Sequence, residues 1–152
     1  MKQSNEALEI RVEERTNILK NAINRLKAEV AERNQTEIAL RESEERYRRI
    51  IETSLEGVWI IDSDNKTSFV NPRMAEMLGY SAQEMQDKSL FDFMDDEGKA
   101  IASANVERRR QGIKENHDFK FTRKDGSPMW AIVSTKPILD SQGEYLGTLG
   151  MI

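Results

Sequence analysis

The stretch FVNPRMAEMLGYSAQEM, Phe69 to Met85, decides how the chain is read. Phe69 and Val70 continue an apolar strand, and Asn71 followed by Pro72 starts a helix. The Asn side chain accepts an orphan N–H of the first turn, and proline at the first helical position has no N–H to lose. Gly79 stops that helix, because glycine enters the left-handed conformation of a helix end without steric cost. Ser81 and Glu84 then stand at the spacing of a capping box, so a second short helix begins at once. A strand therefore passes directly into two short, separately capped helices.

Upstream, Gly57 to Asp62 (GVWIID) reads as a buried strand, DSDNK as a turn, and Thr67 to Asn71 as a second strand completing a hairpin. Downstream, Ser89 to Met94 supplies Leu90, Phe91, Phe93 and Met94 to a short apolar turn. A longer helix follows from Asp96 to Gln111, with acids at its start, Arg108, Arg109 and Arg110 at its end, and Gly112 beyond it. The three arginines are read as cations that complement the helix dipole. His117 to Arg123, Met129 to Leu139 and Tyr145 to Ile152 read as three strands, joined by turns at Asp125-Gly126 and Gln142-Gly143. This order of elements predicts an α+β fold: a five-stranded antiparallel sheet with helices on one face.

The first third of the chain is of another kind. All eight glycines and all three prolines lie at or beyond Gly57, and Tyr47 is the only aromatic residue before Trp59. Residues 1–50 cannot form a compact domain by themselves, and they read as a separate helical unit ahead of a globular domain at 51–152. Rich in Glu, Arg, Lys, Leu, Ile and Ala, the segment predicts a continuous helix from Asn5 to Ser54. Val12, Leu19, Leu26, Leu40 and Tyr47 share one heptad position, and Ile23, Val30 and Ile51 share the complementary one, the pattern of a parallel coiled-coil homodimer. Thr16, Arg33, Glu37 and Glu44 interrupt this seam. They either fix register and oligomer state, or weaken the seam so that the helices can shift as a signal passes.

Charge and composition exclude several functions. Met1 to Ile50 carries 11 Lys and Arg against 10 Asp and Glu, and the remainder 12 against 17, with no basic stripe interleaved with aromatics for nucleic acid. With no cysteine, disulfides, thiolate nucleophiles and thiolate-bound metals are absent. A single histidine among scattered carboxylates gives no zinc or iron site. Paired acids such as Asp95 and Asp96 sit at a helix start, where capping accounts for them, so no catalytic constellation is expected. No apolar run reaches membrane-spanning length and no signal peptide is present. The expected compartment is the cytoplasm, with any membrane anchor of the parent protein upstream.

The run from Phe69 to Met85, RKDG at Arg123 to Gly126, Trp130, and PILDSQGEYLGTLG at Pro137 to Gly150 together resemble a bacterial PAS, or sensory-box, domain. RVEERT (Arg11 to Thr16) and LRESEERYR (Leu40 to Arg48) are similar to the linkers that precede such domains in sensor histidine kinases and diguanylate cyclases. The resemblance implies a sensory and signal-transmitting fragment of a larger protein, with an effector domain beyond Ile152. A histidine kinase is the first expectation. A diguanylate cyclase or phosphodiesterase is the alternative, as is a dimerisation module whose core holds no ligand.

A PAS pocket lies between the sheet and the short helices, so the resemblance places its lining at Val58, Ile60, Met74, Leu78, Phe91, Phe119, Phe121 and Val133. Strand parity then turns Trp59 and Ile61 to the outer sheet face, as a relay surface against the N-terminal helix or a dimer partner. The photoactive flavin class needs a cysteine that is lacking. Haem needs an axial histidine on the long helix, where none stands, and His117 is expected to be partly exposed and uncoordinated. No cofactor is predicted, and an unidentified small molecule is the remaining candidate for the pocket.

Overall fold

The computed structural model describes residues 1–152, which divide into two compact units, Met1–Tyr47 and Arg48–Ile152. Helix α1 (Lys2–Glu52) runs through the first unit into the start of the second without a break. At 1.5 Å per residue, its 51 residues extend about 76 Å. No residue of α1 is buried, and Val12, Leu19, Ile23, Leu26, Val30, Leu40 and Tyr47 all stand exposed in the single chain. Thr16 turns its hydroxyl back onto the Val12 carbonyl at 2.7 Å, which satisfies it locally within the apolar row.

The second unit continues through β1 (Val58–Asp62), β2 (Thr67–Val70), α2 (Pro72–Leu78), α3 (Ala82–Met85) and a 3₁₀ turn at Leu90–Phe93. It closes with α4 (Asp96–Arg110), β3 (Glu115–Thr122), β4 (Pro128–Leu139) and β5 (Tyr145–Met151). The strands form one antiparallel sheet in the order β2-β1-β5-β4-β3. The first and last strands along the chain, β1 and β5, are therefore neighbours inside the sheet.

Local chemistry sets the helix limits. Asn71 caps α2 by accepting the Met74 N–H at 3.0 Å, and Gly79 ends it at φ 76°. Ser81 and Glu84 make the reciprocal capping box of α3, and Ser89 and Asp92 repeat it at the 3₁₀ turn. The Arg123–Gly126 turn docks onto the end of α2: Lys124 N–H donates to the Leu78 carbonyl at 2.9 Å, and Arg123 Nε to that of Met77 at 3.1 Å. Orphan carbonyls of a helix end are thus satisfied from a distant hairpin.

Glu84 also pairs with Lys124 Nζ at 2.5 Å, and this bond, with that from the Ser81 N–H, holds its carboxyl at about 2, below its ordinary 4.5. A depressed folded-state pKa gives stability that is present above the ordinary value and lost as pH falls toward the lower one. Acid unfolding between pH 4.5 and about 2 should therefore show a slope that Glu84→Gln reduces, as read from urea midpoints against pH.

The core lies between the sheet and the helices α2 to α4, and one expectation is reversed there. Trp59 and Ile61, read as outward, are buried at 3% and 4% exposure and belong to the core cluster. Val58 and Ile60 take the opposite parity: Ile60 is half-buried, and Val58 is buried outside that cluster. Four successive apolar residues, Val58 to Ile61, carry no alternation to set the phase. Their partners set it instead. Trp59 and Ile61 pair with Gly150 and Thr148 on β5, and Ile60 with Leu149. The indole N–H donates to Thr67 Oγ1 at 3.0 Å, and the ring meets Phe93 edge-on with centroids 5.1 Å apart. The outer face carries Trp130 and Ile132, each 69% exposed.

The two tryptophans should therefore separate in experiment. Trp59→Phe is expected to cost about 1–2 kcal/mol, leaving Thr67 unpaired and a gap beside Phe93. Trp130→Phe should stay within about 0.5 kcal/mol in the same urea titration.

Candidate functional site

The inner sheet face and α4 border a cavity of about 40 Å³. That volume suits a few waters or a small organic molecule. Most of the lining is apolar: Trp59, Ile61, Phe119, Phe121 and Val133 from the sheet, with Leu90, Met94 and Ala102 from the helical side. Phe119 and Phe121 lie 4.7 Å apart by ring centroid, and Phe121 reaches Trp59 at 6.0 Å. Among them stand the polar side chains of Asn105, Arg109, His117, Thr135 and Thr148, with His117 directly across the ladder from Val133 and Thr148 from Ile61.

Helix periodicity explains how α4 contributes. Ala102, Asn105, Val106 and Arg109 form its buried stripe, so the helix turns an amide and a guanidinium toward the sheet together with its apolar residues. His117 shares strand parity with Phe119 and Phe121, which brings it to the same face.

A chain of contacts orders the polar side chains. Glu115 receives Arg108 through Nε at 2.7 Å and through a terminal nitrogen at 3.1 Å. Arg108 also donates to Asn105 Oδ1 at 2.6 Å, which turns the Asn105 amide nitrogen to His117 Nε2 at 3.1 Å. An amide nitrogen only donates, so Nε2 accepts and the neutral ring carries its proton on Nδ1. That atom is buried and has no partner. Burial and the neighbouring Arg109 charge push the His117 pKa down, favouring the neutral ring.

Arg109 is 6% exposed. Its Nε donates to the Asn105 carbonyl at 3.1 Å, while Glu115 is engaged by Arg108 instead. Burial pushes its pKa down too, though the side chain stays protonated near neutrality.

Of the residues expected to line a pocket, Phe119, Phe121 and Val133 do so. Met74 and Leu78 are completely buried elsewhere in the core, and Phe91 packs half-buried against it. Val58 and Ile60 are excluded by their parity, and Trp59 and Ile61 take their place. Arg109, Asn105, Thr135 and Thr148 are not among the expected residues; His117, expected to be partly exposed and uncoordinated, is half-buried with its ring in the lining. The three-arginine run hid Arg109, although its spacing of four from Asn105 and three from Val106 is the helical signal that could have found it.

No helix is long and apolar enough to cross a membrane, and no group of three or more His, Cys, Asp or Glu side chains is placed to hold a metal ion. The family model described as "PAS fold" matches residues 45–152. Among curated proteins, the two-component sensor PprA of Pseudomonas aeruginosa is 24% identical over 117 residues, covering 76% of this chain and 13% of that protein. The sensor histidine kinase TmoS of Ectopseudomonas mendocina is 24% identical over 136 residues, covering 88% of this chain and 14% of that protein. The chain thus spans about one-seventh of the length of these relatives. Among solved structures, the PAS domain of an HTR-like protein from Haloarcula marismortui superposes with a TM-score of 0.65 at 22% identity, covering 78% of this chain and 98% of that one. A match at that identity speaks for the fold alone. With the family model covering the whole globular unit, and both curated relatives being signal sensors, the chain belongs to the PAS family and is a sensory module of that kind.

Proposed function

We propose that this chain is the sensory and signal-relaying part of a sensor histidine kinase, acting as a parallel homodimer through α1 and performing no catalysis itself. The observation that carries this reading is the unpartnered apolar row of α1, Val12, Leu19, Ile23, Leu26, Val30, Leu40 and Tyr47, at heptad spacing on a rod that buries no residue. Both curated relatives are two-component sensors, which favours a kinase over a cyclase as the output. The cavity takes a small molecule and no haem, adduct-forming flavin or metal. The parent works in the cytoplasm.

Physically, the relay needs a bistable element that both ends can bias. The polar seam positions Thr16, Arg33, Glu37 and Glu44 weaken α1 packing enough to permit a second register. Because the chain has no cysteine, Ile23→Cys supplies a single clean probe. Oxidation should link it efficiently between two copies, as parallel register requires. Failure to cross-link, or a monomer by sedimentation at micromolar concentration with full helix content, would sink the dimer reading.

A further inference from the structure

The polar side chains of the cavity include a cation without an ion-paired partner and a donor without an acceptor. Arg109, nine-tenths buried, forms no ion pair; its one hydrogen bond is from Nε to a backbone carbonyl. The nearby carboxylate, Glu115, is doubly engaged by Arg108. His117 presents a buried Nδ1–H without an acceptor, because Asn105 has claimed Nε2. The hydroxyls do not supply an anion: Thr135 donates to the Glu115 carbonyl at 3.3 Å, and Thr148 is paired with Tyr145 at 2.7 Å. A buried guanidinium left unpaired is costly, and a planar fork of N–H groups matches two oxygens of a carboxylate. The apolar lining beside it, Trp59, Phe119 and Phe121, suits a hydrocarbon tail.

We infer that the cavity binds a short-chain carboxylate anion, its two oxygens on the Arg109 guanidinium and the His117 Nδ1–H, its apolar tail among Trp59, Phe119 and Phe121. The volume of about 40 Å³ limits the tail to a few carbons. The Arg109 cation repels an amine, and a neutral amide or alcohol of the same shape leaves the guanidinium uncompensated. The inference rests on the sensory reading for why a ligand is bound, and on Arg109 and His117 for which one.

The test is a titration of the 152-residue chain carrying Trp130→Phe, so that Trp59 is the one indole, with sodium propionate at constant ionic strength. Saturable change in Trp59 emission is expected, with propionamide and 1-propanol at least about tenfold weaker, a difference worth 1.4 kcal/mol. Inorganic phosphate should be similarly weak, since it has no tail. Arg109→Met, close in volume, should abolish binding, and Arg109→Lys, which keeps the charge but not the fork, should weaken it; circular dichroism checks that each is folded. If Arg109→Met fails to fold, the comparison of propionate with propionamide on the unaltered site still decides. Equal affinity for the two, phosphate binding as tightly as propionate, or no saturation with propionate up to about 10 mM would overturn the inference.

Cross-linking through Ile23→Cys, run in the same samples, tests the relay separately. Propionate binding that leaves the cross-linking unchanged supports the site and counts against the relay. An efficiently cross-linked dimer that ignores propionate overturns the carboxylate inference alone.

Discussion

Gly147→Ala is expected to be the most damaging single-methyl change in the globular unit, lowering stability by about 4 kcal/mol or more. Gly147 sits in β5, paired on one side with Asp62 of β1 and on the other with Ile138 of β4. A Cβ there would lie 2.1 Å from the Ile61 carbonyl oxygen and 3.1 Å from the Asp62 Cα. Both obstacles are backbone, which cannot swing aside as a flexible side chain would. Relief requires parting β1 from β5 at the centre of the sheet, where ladder bonds on both sides would be lost. Gly150, in the same strand, is the control: a methyl there meets the Trp59 oxygen at 3.5 Å, an ordinary contact, and Gly150→Ala should cost about 1 kcal/mol or less. Urea midpoints for the two variants give the comparison. A Gly147→Ala protein as stable as Gly150→Ala would contradict this packing.

The second large effect is expected at Asn71, completely buried and fully bonded. Its Oδ1 accepts from the N–H groups of Val58 and Met74 at 2.9 and 3.0 Å, and its Nδ2 donates to the carbonyls of Ile51 and Glu56, both at 3.0 Å. One amide thereby ties the last turn of α1, the entry to β1 and the start of α2. Asn71→Ala strands these groups and should cost about 3 kcal/mol. Asn71→Asp tests the geometry more sharply. It keeps the acceptor toward Val58 and Met74 but sets an oxygen against two carbonyl oxygens in a buried place. The charged form is disfavoured there, so the folded-state pKa of the new carboxyl rises above its unfolded value. Stability from the protonated form is then present at low pH and lost as pH rises through the raised value. The variant should gain stability on acidification where the wild type does not. A pH profile parallel to that of the wild type would refute this bond pattern.

These two sites show how far the sequence could be read. Asn71, Gly79, Ser81 and Glu84 announce their roles because caps and stops are local: the required atoms lie within a few residues. The five-stranded sheet was legible from the turns and from family resemblance. Phase in β1 was not, because Val, Trp, Ile and Ile offer apolar surface to either face. Contacts far along the chain hold it: the Thr67 hydroxyl that takes the indole N–H, and Phe93 against the ring. The polar lining of the cavity was hidden for a similar reason. Arg109 looks like its neighbours Arg108 and Arg110 until Glu115, brought alongside at the start of β3, is seen to occupy the first of them. Arg110 turns elsewhere, toward the Ser63 carbonyl at 2.9 Å. Three identical letters therefore carry three different tasks, assigned by contacts outside the run itself.

Gly57 and Ile152 exchange backbone hydrogen bonds at 2.8 and 2.9 Å. The chain thus enters and leaves the globular unit side by side, like the two ends of a loop drawn shut. A module closed in this way can be set into a longer polypeptide, or strung in series, while its upstream and downstream neighbours stay close together. Any motion that pries this fork apart would be felt at both ends of the loop together.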